Sequence, residues 1–172
     1  MQMETFIETK DSPAIISSHA LMEHWQGHRR LTRRTIEAFP EKHFYTYSIG
    51  GMRTFAELVM EMIGIASPGV RGIVTGNWQP EGEVALDHSS VAPATKTEVL
   101  ALWDSVTEQM NAIWPEMKAE RYHETDAAFG MYENLVINSV LYFIDNEIHH
   151  RGQGYVYLRA LGVEPPAFWD RS

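Results

Sequence analysis

The chain has 172 residues, 44% hydrophobic and 11% aromatic, the composition of an ordinary globular protein, not a disordered one, and fits one folded domain over residues 1–172. Its formal charge of −9 argues against a general nucleic-acid or anionic-membrane binder. With no cysteine there are no disulfides, thiolate nucleophiles or cysteine-held zinc, so any metal must be bound by His, carboxylate, amide or water.

The opening stretch "MQMETFIETK" carries acids and no apolar run, unlike a signal peptide. No segment reaches the roughly 18 consecutive apolar residues of a membrane span. The expected location is the cytoplasm, with no membrane partner.

Four helical patterns follow, and no stretch alternates convincingly at period two. The first covers residues 11–39, with Ser12 as cap, Pro13 in the first turn and Pro40 as stop. It contains the basic run "HRRLTRR" (residues 28–34), which reads as a solvated helix face. His24 and His28, one turn apart, could chelate a metal, but beside Arg29 and Arg30 they read as surface. The second helix begins after Thr54, whose capping box is completed by Glu57, and runs past Pro68 towards Trp78 with a bend at the proline.

Residues 79–94 read as a loop rich in Pro, Gly and Ser. Thr95 and Glu98 form a second capping box, opening a third helix that ends at Pro115. After a polar connection, the fourth and longest helix spans residues 131–161, closed by Gly162 and by Pro165 and Pro166. The expected fold is all-α: a four-helix bundle with a long connection between the second and third helices.

On a helical wheel the fourth helix gathers Ile137, Val140, Leu141, Ile144, Ile148, Tyr155 and Leu158 on one arc, taken as the core face. His150 falls about 100° from the centre of that arc and His149 about 160°. His150 therefore borders the core, while His149 faces outward. Asn146 lies one turn before His150. Glu147 and Arg151 project near the core centre, either as an intrahelical ion pair or as part of a binding site. On the second helix Phe55, Leu58, Met62 and Ile65 set the core arc, and Glu61 sits about 100° from its centre, within reach of a groove shared with Asn146 and His150. Gly152 and Gly154, in mid-helix, are expected to let another helix approach closely. Phe168 and Trp169 are expected to cover a bundle end or a dimer contact.

The segment "NEIHHRGQGYVYLRALGVEPP" and, more loosely, "MRTFAELVMEMIG" resemble the DinB-like family of bacterial four-helix bundles, related to thiol-dependent YfiT-type proteins. That resemblance implies a divalent metal, nickel or zinc, on three histidines, one on the second helix and two at i,i+4 on the fourth. The corresponding positions are Glu61, Asn146 and His150, so only His150 keeps the family's ligand. An O/O/N set is harder and weaker for zinc or nickel. Two readings follow. One is a metal-dependent enzyme of thiol-dependent transferase or hydrolase type, with nickel, zinc or manganese at an altered site. The other is a metal-free small-molecule-binding or stress-response protein. In either, Glu147, Arg151, Gln153 and His149 are the expected pocket residues. The resemblance also implies a homodimer, while the acidic balance and the lack of a reading helix argue against nucleic acid.

Overall fold

The computed structural model describes residues 15–79, 86, 87 and 89–172. Four long helices make the bundle: α1 (Ser18–Ala38), α3 (Phe55–Thr75), α4 (Lys96–Ile113) and α5 (Val136–Ala160). A single turn, α2 (Glu41–Phe44), follows α1. Each of α1 and α3 packs on both α4 and α5, so α1 and α3 occupy opposite corners. This all-α bundle is the fold expected from the sequence. The core between the helices is filled by Trp25, Leu31, Ile36, Phe55, Met60, Ile63, Ile73 and Trp103.

Local sequence accounts for most helix ends. Both capping boxes form: Glu57 Oε2 accepts from Thr54 N at 2.7 Å, and Glu98 Oε2 accepts from Thr95 N at 2.9 Å. At the start of α1, Ser17 is the cap and accepts from Ala20 N at 3.0 Å; residues 15–17 are not helical, so α1 begins later than expected, and Ser12 and Pro13 lie outside the described residues. α3 continues through Pro68 and stops at Gly76, whose φ of 77° ends the helix before Trp78. At the far end of α5, Gly162 N donates to Arg159 O and Val163 N to Leu158 O, a Schellman closure with Gly162 at φ 75°.

The fourth helix begins later than expected. Residues 131–135 are not helical: β1 (Thr125–Ala128) and β2 (Tyr132–Leu135) form an antiparallel hairpin, and α5 starts only at Val136. Leu135 has no side-chain cap, and Val136 N donates instead to Glu124 O across the hairpin, so no capping signal marks the boundary. The turn places Phe129 (φ 56°) beside Gly130 (φ 72°), and a phenylalanine at positive φ is not a recognisable turn residue.

The core arc of α5 is also displaced. Leu141 and Ile148 are 45% and 37% exposed, while the buried stripe runs through Val140, Ile144, Glu147, Arg151, Gly154 and Leu158. An arc drawn through apolar residues alone is centred off this stripe, although Glu147 and Arg151 are buried as expected. The predicted solvated face of α1 fails for the same reason: His28 and Arg29 are buried, although Arg30 is exposed. Phe168 and Trp169 are 63% and 75% exposed, so within this chain they do not cover a bundle end. Among the described residues α3 is the one helix long and apolar enough to cross a membrane; most of it is buried against α4 and α5.

Candidate functional site

α5 presents two polar clusters on different sides, because α3 and α1 stand at opposite corners. Towards α3, His150 Nε2 lies 2.9 Å from Glu61 Oε1, and Asn146 Nδ2 donates to the same oxygen at 3.2 Å. The other carboxylate oxygen, Oε2, is paired with Arg53 Nη1. Arg53 precedes the Thr54 cap of α3, and its backbone carbonyl accepts from the buried Tyr157 hydroxyl at 2.8 Å. Gln153 Oε1 lies 3.1 Å from His150 Nδ1, and Gln153 Nε2 lies 3.2 Å from His149 Nε2.

A carboxylate can only accept, so the proton on His150 Nε2 points at Glu61 and the Asn146 amide turns its nitrogen there. Burial pushes the Glu61 carboxyl up, but hydrogen bonds from His150, Arg53 and Asn146 and the His150 charge outweigh it, leaving a net lowering. Glu61, Asn146 and His150 thus converge, as their spacing indicated. As placed they do not fit a zinc or nickel centre. The imidazole edge and the amide nitrogen are turned to the carboxylate as donors, and a fixed cation already sits on its second oxygen. Among the described residues no group of three or more His, Asp or Glu is placed to hold a metal ion.

Beside this cluster is a cleft of about 760 Å³ that shares Arg53 and Glu61 as lining. Five aromatic side chains line it, Trp78, Phe129, Tyr132, Tyr142 and Phe143, with Asn134, Asn138 and Ser139 as polar points. The hairpin supplies one wall, and Trp78 is fixed by donating Nε1 to Asp126 Oδ2 at 3.0 Å. Asp126 pairs with Arg121, whose guanidinium also caps the end of α3 at Gly72 O (3.0 Å) and Ile73 O (2.9 Å). The cleft wall and the helix terminus are therefore held by one arginine.

The second cluster, between α5 and α1, contains Glu147 and Arg151. Glu147 accepts from Thr32 Oγ1 at 2.7 Å and Trp25 Nε1 at 3.1 Å, and lies 3.6 Å from Arg29 Nη1. Arg151 donates to Thr32 Oγ1 at 3.1 Å and lies 3.0 Å from His28 Nδ1. Their bonds run to α1 rather than to each other, and neither lines the cleft. Nor do His149 and Gln153, so the four expected pocket residues divide between a buried α1–α5 network and a surface relay behind His150. Arg53, Trp78 and the hairpin aromatics were not anticipated. Their placement depends on tertiary approach, and no spacing along the chain reports it.

The model of the DinB family matches residues 3–171. The chain belongs to the DinB family. Among DinB-like relatives, the uncharacterised protein YjoA of Bacillus subtilis (strain 168) is 24% identical over 157 residues, covering 90% of this chain and 97% of YjoA. A solved DinB-like protein from Bacillus cereus ATCC 10987 superposes with a TM-score of 0.70 at 15% identity, over 87% of this chain and 95% of that one. The solved Bacillus subtilis YjoA, also DinB-like, gives 0.66 at 21% identity, over 86% and 96%. At these identities the solved structures support the fold alone.

Proposed function

We propose that this DinB-family chain is a small-molecule-binding protein that works through the aromatic cleft without a resident transition metal. The observation that carries the reading is the engagement of Glu61: three side-chain donors, from His150, Asn146 and Arg53, reach both carboxylate oxygens. Such a cluster is a positioning device for the cleft wall, since its hydrogen bonds are spent internally and its charge is balanced by Arg53. The cleft itself has the size and the mixture of aromatic walls with few polar points that small-molecule sites share.

The alternative, a metal-dependent transferase or hydrolase, draws on the convergence of the three side chains at positions where the resemblance implies ligands. One experiment separates the two. Purified protein is supplemented with zinc, nickel and manganese in turn, dialysed and analysed for bound metal, alongside a thermal-shift screen of small organic compounds. Substoichiometric metal together with stabilisation by an organic compound is expected. Stoichiometric metal lost in Glu61→Ala and His150→Ala, with no organic compound stabilising, overturns the proposal. The homodimer implied by the family is likewise a proposal, tested by sedimentation.

A further inference from the structure

We infer that the ligand of the aromatic cleft is a small organic cation, an amine or quaternary ammonium carried on an apolar body. The inference rests on the small-molecule reading above and adds its chemical class. The cleft lining includes Glu61, Glu133 and the guanidinium of Arg53, together with Asp87, which is engaged by Ser89 and Ser90. Arg53 is held by Glu61, so this pair cancels and Glu133 leaves the wall acidic.

The aromatic side chains supply the second, independent element. The faces of tyrosine and tryptophan rings attract cations, most strongly where water is partly excluded, and aromatic walls with acid nearby are the usual recognition of ammonium groups. Tyr132 and Tyr142 are more than half exposed, at 65% and 60%, so their rings stand at the opening, while Trp78 and Phe143 are buried beneath. Glu133 sits between Tyr132 and Asn134 on the hairpin, all three in the lining. The charge of −9 on the whole chain reinforces this local field and would repel anionic ligands of the same shape.

Three probes sharing one ring decide the class: phenethylammonium, 2-phenylethanol and phenylacetate. They are titrated against the full chain by tryptophan fluorescence and thermal shift at two salt and two protein concentrations. Phenethylammonium is expected to bind roughly tenfold more tightly than 2-phenylethanol, with phenylacetate weakest. Glu133→Gln is expected to weaken phenethylammonium by about threefold and leave 2-phenylethanol unchanged, an effect that salt suppresses. Tyr142→Ala, an exposed position that should not unfold the bundle, is expected to weaken both. Equal or tighter binding of phenylacetate overturns the cationic class while leaving a small-molecule cleft standing. No response to any probe, with stability rising only with protein concentration, overturns both, because the cleft is then a contact between copies.

Discussion

Glu61 on α3 and His150 on α5 meet at 2.9 Å, and this contact closes the groove between the two helices at the edge of the cleft. Replacing His150 by Ala leaves a half-buried carboxylate with one donor fewer and opens space in a well-packed seam. A loss of about 1–3 kcal/mol is expected in urea unfolding, with the helical circular dichroism signal retained before the transition. The lowered Glu61 carboxyl makes its stability contribution above the ordinary carboxylate range and loses it as pH falls through the lowered value. The ΔΔG of His150→Ala should therefore shrink in strongly acidic buffer.

Arg53 is the cation of this cluster. Removing it by Arg53→Ala frees Glu61 Oε2 and takes away the charge that opposes a metal ion. Calorimetric titration with zinc should show binding to Arg53→Ala at least tenfold tighter than to the native chain. Equal binding by the two would mean that the guanidinium does not oppose a metal at Glu61.

His28 lies between two arginines, with Nδ1 3.0 Å from Arg151 Nη2 and Nε2 2.9 Å from Arg171 Nη1. A neutral ring has one lone pair, so only one of these contacts is a hydrogen bond at any moment. Burial first, then the charges of Arg151 and Arg171, push the imidazole down from 6.5 to about 3. Its unfolded form takes up a proton below pH 6.5, whereas its folded form resists until near pH 3. Its contribution to stability is therefore complete above pH 6.5 and drains away as pH falls towards 3, at up to about 1.4 kcal/mol per pH unit. Unfolding free energies of His28→Gln, measured from pH 7 to 4, should show a shallower fall than those of the native chain.

Glu147 accepts from Trp25 and Thr32 and neutralises Arg29, which also stacks 3.8 Å from the centroid of Trp103. Glu147→Ala removes the nearest counterion of the buried Arg29 guanidinium and a carboxylate that also acts on Arg151. A cost of about 3–5 kcal/mol is expected in denaturant unfolding. Glu61→Ala, at the less buried contact between α3 and α5, should cost less.

The two glycines of "RGQGY" differ in what they permit. A Cβ on Gly154 would overlap the buried ring of Phe55, whereas one on Gly152 meets nothing within 4 Å. Gly154→Ala is expected to lower stability by about 1–3 kcal/mol through overpacking. Gly152→Ala should raise it by up to about 1 kcal/mol through helix propensity. Thermal unfolding of the two variants would reveal opposite shifts, and the expected close approach belongs to Gly154 alone.

Much of this was written along the chain. Thr54 with Glu57, Thr95 with Glu98, and Gly162 act within one turn of backbone, so local residue types set those helix ends. Helical spacing also put Asn146 and His150 on a flank of α5 facing Glu61, and separated His150 from His149. What spacing could not supply was the partner of each face. The side of α5 bearing Glu147 and Arg151 became core because α1 brought Trp25, Arg29 and Thr32 to meet it. Spacing put Glu147 and Arg151 near the core centre, but the residues that partner them there lie on another helix. The hairpin was hidden because its turn rests on a phenylalanine at positive φ, and with it the aromatic wall of the cleft. Arg53 lies eight residues before Glu61 and outside the helix, so helical spacing does not report that its guanidinium pairs with that carboxylate. The sequence by itself determined the helices, the family and the convergence of three polar side chains. The tertiary structure decided their chemistry, because charge balance and cavity shape depend on which distant residues are brought within a few ångströms.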